Sequence, residues 1–281
     1  MIAILGGLGA ASCFAISTLC ATRASREIGA ASTFASMAIV GLILCLPLLA
    51  TAHTPTRSTQ VGWLAVAGAT NTLGLLLEYT GLRLGRVGVV APIASTEGAI
   101  AALIAVLAGE ALSPLAGIAL VTVAVGVGLV AFPSDRHNPS TGSFGRVGAE
   151  SLFGAGAALA FGITLYATGY VAALPIGWVI VPTRLIGTMV VALPLAISRR
   201  FRLTRACAPL VVLAGCCETL GFVSYAIGAR HGIAIAAVLS SLFAALAAVG
   251  ARLLLSERIS PITRVGIVVT AIGVATISAV H

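Results

Sequence analysis

Long apolar stretches separated by short polar breaks cover almost the whole chain. A helix that spans a membrane needs about 20 mostly apolar residues, and by this rule the pattern predicts ten such helices. They are expected at roughly 2–22, 31–51, 61–82, 87–108, 113–132, 148–170, 176–197, 207–229, 232–254 and 261–280. The breaks are polar or marked by Pro and Gly, as at Arg23–Glu27 and Arg199–Arg205, and the longest runs from Pro133 to Gly145. The pattern therefore predicts an all-α integral membrane protein with ten transmembrane helices.

A short pattern comes just before the last predicted helix of each half. Gly109–Pro114 reads Gly-Glu-Ala-Leu-Ser-Pro, and Ser256–Pro261 reads Ser-Glu-Arg-Ile-Ser-Pro. Their Glu residues are 257 − 110 = 147 positions apart, and one ungapped shift of 147 aligns other segments as well. These include Gly9-Ala10-Ala11 with Gly156-Ala157-Ala158, Phe14 with Phe161, Leu46-Pro47-Leu48 with Leu193-Pro194-Leu195, Thr72-Leu73-Gly74 with Thr219-Leu220-Gly221, and Gly81 with Gly228. Many secondary transporters are built from such repeats. We therefore expect a first repeat over residues 1–133, a linker over 134–147 and a second repeat over 148–281.

The arginine distribution tests how the two predicted repeats are oriented. Each repeat holds five helices, an odd number, so two copies in series must lie in opposite orientations across the bilayer. In the first repeat the basic loops follow helices 1, 3 and 5, and in the second they follow the second and fourth helices of the unit. Most of the positive charge then falls on one face, which leaves mainly Arg57 and Arg230 on the other. Basic loops stay in the cytoplasm, so this pattern predicts inverted repeats with both termini outside.

Composition agrees with a membrane protein and argues against nucleic acid as a partner. Hydrophobic residues make up 59% of the chain and charged residues only 9%, whereas a soluble domain has about 25% charged residues. The net charge of +8 comes from sixteen Arg and no Lys, and these Arg cluster between apolar stretches, as cytoplasmic loops do. The six Cys fall within apolar stretches without metal-site spacing. We expect no metal and no cofactor.

Among the charged residues in the predicted spans, four are candidates for a functional role: Glu78, Glu97, Arg184 and Glu218. A charge at the bilayer centre costs about 2.5–3.5 kcal/mol on insertion scales, so each one needs a partner or a water-filled cavity. Glu97 and Glu218 fall near the middle of helices 4 and 8. A carboxyl group there suits proton coupling or acts as the counter-charge of a cationic substrate.

The other two charged residues have structural alternatives. Glu78 lies near the end of helix 3, where an interfacial ion pair with Arg83 or Arg86 fits as well as a place in a cavity. Arg184, in helix 7, fits a helix contact through pairing with Glu97 or Glu218 as well as it fits substrate binding. Both alternatives stay open at this point.

The repeat indicates which helix face is polar. The shift of 147 takes Asn71 to Glu218 and Glu78 to Tyr225, so helices 3 and 8 each carry a polar pair at i and i+7, on one helix face. We expect this face to turn toward the pseudo-two-fold axis, where transporter substrate sites form. Glu110, at the loop end of a helix, is more typical of a capping residue.

Pro92 comes early in helix 4, five residues before Glu97. A proline removes a backbone donor and kinks a helix. A kink at this position suits a gate or a cavity wall, so we include Pro92 among the candidate site residues.

With these motifs the chain resembles the EamA-type ten-helix members of the drug/metabolite transporter superfamily over essentially its whole length. The resemblance rests on the two five-helix repeats, on Gly109–Pro114 and Ser256–Pro261, on Ala91-Pro92 and on Arg184. Met37 stands where a first-repeat counterpart of Arg184 would be. The resemblance implies alternating access around a central cavity lined mainly by helices 1, 3, 4, 6, 8 and 9. It also implies export of small metabolites, amino acids or drugs, and members are often drawn with both termini in the cytoplasm.

Together these features predict a secondary active transporter in the cytoplasmic membrane that exports small metabolites such as amino acids. Its expected partners are a small-molecule substrate and the lipid bilayer, and a monomer suffices because two fused halves already supply the pseudo-symmetry. Efflux of cationic compounds is the alternative. A membrane enzyme acting on lipid-linked substrates and a passive channel are less favoured, and no catalytic residue is predicted, because nucleophile–base pairs and phosphate-binding loops do not occur in the sequence.

Overall fold

In the part of the chain that the structure describes, all regular secondary structure is helical. The computed structural model describes residues 1–49, 58–84, 90, 93–111, 113–131, 144–243, 245–247, 265–266, 268–269, 272–273 and 276. Its main helices are α1 (Ile2–Ile28), α2 (Ala30–Cys45), α3 (Ser58–Leu84), α4 (Glu97–Leu107), α5 (Pro114–Ala131), α6 (Phe144–Tyr170), α7 (Ile176–Ile197), α8 (Ala208–Ala229) and α9 (Ile233–Ser240). A π-helical turn at Thr188–Ala192 lies within α7. The predicted all-α class is confirmed.

Six of these helices are long and apolar enough to cross a membrane. The crossing segments are Ile2–Ile28, Ala30–Leu48, Thr59–Leu84, Leu152–Tyr170, Ile176–Ile197 and Ala208–Ala229. Shorter apolar helices lie at Glu97–Leu107, Pro114–Gly126 and Ile233–Ala247. Each of the first nine predicted stretches thus contains a helix, while most of the tenth, 261–280, falls outside the described residues. Most of the predicted linker, 134–147, also falls outside them, although α6 already begins at Phe144.

The predicted end of the first helix at residue 22 is wrong. The polar segment Arg23–Glu27 is helical, and α1 ends only at Ile28. Arg23, Arg26 and Glu27 are exposed, so a helix continues through them without burying a charge. Gly29 ends α1 with a φ of 90°, which a residue without a Cβ adopts at little cost.

The predicted continuous helix 4 over 87–108 is also wrong. Ser95 and Thr96 form a turn, and α4 begins at Glu97. The Thr96 hydroxyl donates a hydrogen bond to the Ile93 carbonyl at 2.8 Å, and the Thr96 backbone N–H binds the same oxygen at 3.2 Å. Such local side-chain bonds compete with the helical ladder. The turn separates α4 from the helical residues 93–94 before it, so Glu97 lies in the first turn of α4.

Helices α1 and α8 pack together along most of their length. At one end the two backbones touch, since a Cβ added to Gly228 would lie 3.0 Å from the Cα of Gly6. Further along, the ring of Phe14 lies against Gly221. Residue numbers rise along α1 while they fall along α8, so the two helices are antiparallel.

Helices α3 and α6 pack in the same way. A Cβ added to Gly81 would lie 3.2 Å from the Cβ of Phe153, and one added to Gly74 would lie 2.6 Å from the Phe161 ring. The shift of 147 relates these contacts to the α1–α8 contacts: Gly6 corresponds to Phe153, Gly228 to Gly81, Phe14 to Phe161 and Gly221 to Gly74. The shift therefore relates α1 to α6 and α3 to α8, and the two helix pairs α1–α8 and α6–α3 pack at equivalent residues.

Glu110, in the chain after α4, lies at the beginning of α9. Both of its carboxylate oxygens lie 3.3 Å from the backbone nitrogen of Ala234, which donates to them. The first turn of a helix leaves its N–H groups without intrahelical partners, and a carboxylate satisfies them. The expected capping role of Glu110 is confirmed.

Candidate functional site

A small cavity lies where helices from both halves meet. Its lining residues are Phe14 and Thr18 from α1, Leu75 and Glu78 from α3, Glu97 from α4, Phe161, Thr164 and Leu165 from α6, Glu218 and Phe222 from α8, and Phe243 just after α9. The centre of a water-sized sphere can move through only about 30 Å³ of it, which is room for about two water molecules. The chain segments that line it are those of helices 1, 3, 4, 6, 8 and 9, which the family resemblance implies.

Three carboxyl groups from three helices line this cavity. Glu78, Glu97 and Glu218 are only 3%, 4% and 6% exposed. α3 contributes Glu78 from its last two turns, α4 contributes Glu97 from its first turn, and α8 contributes Glu218 from its middle. The cavity thus brings together carboxyl groups that lie up to 140 positions apart in the sequence (218 − 78 = 140).

Aromatic rings form the apolar part of the wall. Phe14 meets Phe222 edge-on at 5.3 Å between ring centroids and Phe243 at 6.5 Å. Such edge-to-face pairs are favourable geometries for aromatic side chains. Phe161 lines the opposite half of the cavity at the position equivalent to Phe14. A ligand in this cavity would therefore meet carboxylates and ring faces together.

Glu218 is held by two neighbours. Its Oε1 lies 3.8 Å from Nη1 of Arg184, and its Oε2 lies 3.3 Å from the hydroxyl of Ser17, which donates to it. The Ser17 hydroxyl also lies 3.1 Å from the Ala214 carbonyl oxygen. In the structure Arg184 thus pairs with Glu218 and not with Glu97.

Arg184 is almost completely buried, at 2% exposure. Its guanidinium carbon lies 5.1 Å from the centroid of the Phe222 ring, a cation–π distance. Its Nε and Nη2 donate to no acceptor among the described residues. Its first-repeat counterpart, Met37, is buried to a similar degree and accepts a hydrogen bond at its sulfur from the Tyr79 hydroxyl at 3.5 Å.

Glu78 points into the cavity and not toward an interfacial arginine. Its Oε1 is buried without a hydrogen-bond partner, and it forms no ion pair within the described chain. Arg83, one of the two arginines considered for it, is exposed, while Arg86 lies outside the described residues. The geometry therefore favours a cavity group over an interfacial ion pair.

Asn71 and Tyr225, the partners of Glu218 and Glu78 under the shift, are buried but do not line the cavity. Asn71 is 1% exposed, and neither its amide oxygen nor its amide nitrogen has a partner in the described structure. The Tyr225 hydroxyl donates to the Leu165 carbonyl at 2.7 Å, which ties α8 to α6 beside the cavity. Neither residue faces lipid, and their substrate-binding role stays a prediction. Pro92, the predicted gating residue, lies outside the described residues.

Several lining residues were not singled out from the sequence. Thr18 and Thr164 line the cavity, and Ser17 contacts Glu218 without lining it. All three are small hydroxyl residues in apolar helices, and no sequence signal distinguishes them from packing residues. Phe14 and Phe161 did carry a signal, because they align under the shift of 147. Among the described residues, no group of three His, Cys, Asp or Glu side chains is arranged to hold a metal ion.

The comparisons with known proteins bear on the family and on the fold. A sequence model of the EamA-like transporter family matches residues 1–132. The crystal structure of another protein has a similar fold, with a TM-score of 0.72 and 18% sequence identity. The match covers 99% of this chain and 96% of the other. At that identity the likeness shows the fold alone. The comparison with curated proteins finds no match. Residues 1–132 thus match the EamA-like transporter family of the drug/metabolite transporter superfamily, which is the family that the motifs indicate.

Proposed function

We propose that this protein is a secondary active transporter that exports small metabolites such as amino acids across the cytoplasmic membrane by alternating access. In this proposal ten transmembrane helices form two inverted five-helix repeats, at 1–133 and 148–281, joined by a linker at 134–147. The family supports transport, and with it a protein that is not an enzyme. The observations that follow support alternating access, the inverted repeats, the coupling and the substrate class.

The observation that carries the proposal is the cavity with three buried carboxyl groups. A charge inside a membrane protein is expensive and marks a substrate or ion pathway. Here Glu78 comes from the first half and Glu218 from the second, so a relative motion of the two halves changes the surroundings of both. Because the cavity holds about two water molecules, it must widen to admit an organic solute, which favours alternating access over an open channel.

The helix packing supports the inverted repeats. With only α2 between them, α1 and α3 cross a bilayer in the same direction. α8 corresponds to α3 under the shift of 147 and is antiparallel to α1. α8 therefore runs opposite to its own counterpart, as an inverted repeat requires.

A carboxyl group that faces both the substrate and a water pathway is suited to proton coupling. Glu78 and Glu97 line the cavity, and no positive side chain pairs with either among the described residues. Uptake of a proton removes the cost of their buried charge, and release restores a counter-charge for a positive group on the substrate. We therefore place proton coupling at these two residues.

Efflux of cationic compounds is the second candidate, and the aromatic wall favours it. Phe14, Phe222 and Phe243 surround the carboxylates with ring faces, and ring faces attract cations. An amino-acid carrier needs in addition a partner for the substrate carboxylate. Among the described residues, Arg184 offers one: it does not line the cavity itself but pairs with Glu218, which does.

The test is an export assay in a sensitive bacterium that expresses the protein. Cells are challenged with toxic amino-acid analogues and, separately, with lipophilic cations, beside Glu97→Gln and Glu218→Gln. We expect protection against the analogues, lost in both variants. Glu27→Gln, at the exposed end of α1, is the matched control and should protect like the parent.

Protection against the cations alone would favour the second candidate. Full protection by both cavity variants would show that these carboxyl groups do not take part in transport. Absence of protection against any compound, at normal expression in the membrane, would contradict the proposed function.

A further inference from the structure

We propose that Arg184 selects substrates with a carboxylate by exchanging partners. The carboxylate of an α-amino acid takes the place of Glu218 on the guanidinium, while the ammonium group lies at Glu78. This inference rests on the proposed function and deepens it, because it limits the substrate class to zwitterionic amino acids and names the residue that makes the selection.

The contacts of Arg184 leave it able to bind another anion. The Nη1–Oε1 distance of 3.8 Å to Glu218 is an ion pair, but it is longer than a hydrogen bond. Two further donors, Nε and Nη2, are buried without an acceptor in the described chain. A buried arginine with unused donors is incompletely satisfied, and a planar carboxylate accepts two of its N–H groups at once.

Packing does not require the charge at this position. Under the shift of 147 the counterpart of Arg184 is Met37, which is 1% exposed in the equivalent helix of the first half. An unbranched apolar side chain therefore fills the corresponding place. A buried ion pair with poor geometry is weak evidence for stability, so a purely structural role explains Arg184 poorly.

The neighbours of the pair suit an exchange. The Phe222 ring, 5.1 Å from the guanidinium carbon, stays beside Arg184 whichever carboxylate it binds. The Ser17 hydroxyl lies 3.3 Å from the other oxygen of Glu218, and it remains as a donor when Arg184 is lost. Glu218 and Phe222 both line the cavity. A solute in the cavity thus reaches Arg184 by displacing only the Glu218 side chain, which can still accept a hydrogen bond from Ser17.

Glu78 supplies the opposite charge for the ammonium group. Its Oε1 is buried, unpaired and part of the same cavity wall. The substrate ammonium would satisfy this oxygen, and the apolar side chain would lie among Phe14, Phe161 and Phe243. The site therefore has one cationic and one anionic contact beside an apolar wall, which is the charge pattern of an apolar α-amino acid.

The experiment compares leucine with isopentylamine, which lacks the carboxylate, and with 4-methylpentanoate, which lacks the ammonium group. Transport of each labelled compound is measured with the full-length protein in proteoliposomes. The variants are Arg184→Met, Arg184→Lys and Glu218→Gln, and Arg200→Met, exposed in the loop before α8, is the matched control.

We expect the parent and the control to carry leucine and neither analogue. Arg184→Met should lower leucine transport about tenfold or more, since hydrogen bonds to a charged group are worth that much, and should raise isopentylamine transport. A gain of this kind cannot come from a misfolded protein. Arg184→Lys should retain part of the leucine transport, because it keeps the charge without the planar fork.

The Glu218→Gln variant distinguishes partner exchange at Arg184 from a purely structural ion pair between Arg184 and Glu218. Without its competitor for Arg184, leucine should bind more tightly, which lowers KM, while release and therefore kcat should fall. A merely structural pair predicts weaker binding in this variant. Bound leucine should also raise the melting temperature of Glu218→Gln more than that of the parent.

Three results would overturn the inference: leucine transport by Arg184→Met equal to the parent, isopentylamine transport by the parent equal to leucine, or transport by the parent of none of the three compounds. In the first two cases the parent still transports leucine, so the proposed function stands. In the third it stands as long as the protein exports another solute. If it exports none, both the inference and the proposed function fail.

Discussion

The carboxylate of Glu110 accepts the backbone N–H of Ala234 at 3.3 Å, and so the chain after α4 of the first half caps α9 of the second. The interaction joins the two halves at the end of the molecule where α8 ends. Loss of a helix cap costs about 0.5–2 kcal/mol.

We therefore expect Glu110→Ala to lower the melting temperature of the purified protein, while Glu110→Gln, which keeps an acceptor oxygen, retains most of the stability. Thermal unfolding in detergent measures both. A Glu110→Gln variant as unstable as Glu110→Ala would show that charge, and not the hydrogen bond, is what matters there.

Gly74 gives a second prediction. A Cβ at this position would lie 2.6 Å from the Phe161 ring, which is too close for any real contact. Gly74→Ala should therefore destabilise the α3–α6 contact by about 1–3 kcal/mol, as overpacked cores do. Thermal unfolding measures the loss.

Gly62, in the same helix, is the matched control for Gly74. An added Cβ there meets nothing within 4 Å, so Gly62→Ala should be neutral or stabilising by up to about 1 kcal/mol. Combining Gly74→Ala with Phe161→Leu should restore part of the loss. Equal effects of the two Ala substitutions would mean that α3 and α6 do not approach as closely as described.

The third prediction concerns Glu78. Its buried and unpaired carboxyl is a cost to folding, so Glu78→Gln should leave the melting temperature equal or raise it, while transport falls about tenfold or more. Proteoliposome transport and thermal unfolding are measured on the same preparation. If stability and transport fall together, Glu78 has a structural role.

The fourth prediction concerns orientation. The hydroxyl of Thr204 donates to Glu27 at 2.9 Å, which brings the arginine-rich loop before α8 to the end of α1 that carries Arg23 and Arg26. The positive-inside rule predicts that this end is cytoplasmic. His231 lies beyond the other end of α8 and is exposed.

A single cysteine introduced at His231 in a cysteine-free background should react with a membrane-impermeant maleimide in intact cells, and one at Arg202 should react only after lysis. The reverse pattern would place the arginine-rich end outside. It would also agree with the termini as they are often drawn for the family.

The sequence by itself determined the helical class, the approximate positions of nine apolar helices, the repeated pattern at a spacing of 147 and the identity of the charged residues within apolar stretches. Hydropathy and periodicity are properties of each segment that indicate whether it is buried in an apolar environment. A repeat is visible in the sequence as a constant spacing between similar residues. For the same reason the motifs indicated the EamA-type family whose model matches residues 1–132.

Only the tertiary structure decided which of these groups meet. The sequence left Arg184 with either Glu97 or Glu218, and left Glu78 between the cavity and an interfacial arginine. These choices depend on how each helix is rotated and on which helix of the other half it packs against. Close contacts such as Phe161 on Gly74 set that rotation, and so does the turn before Glu97, whose hydrogen bonds interrupt a helix that hydropathy alone extends to residue 87.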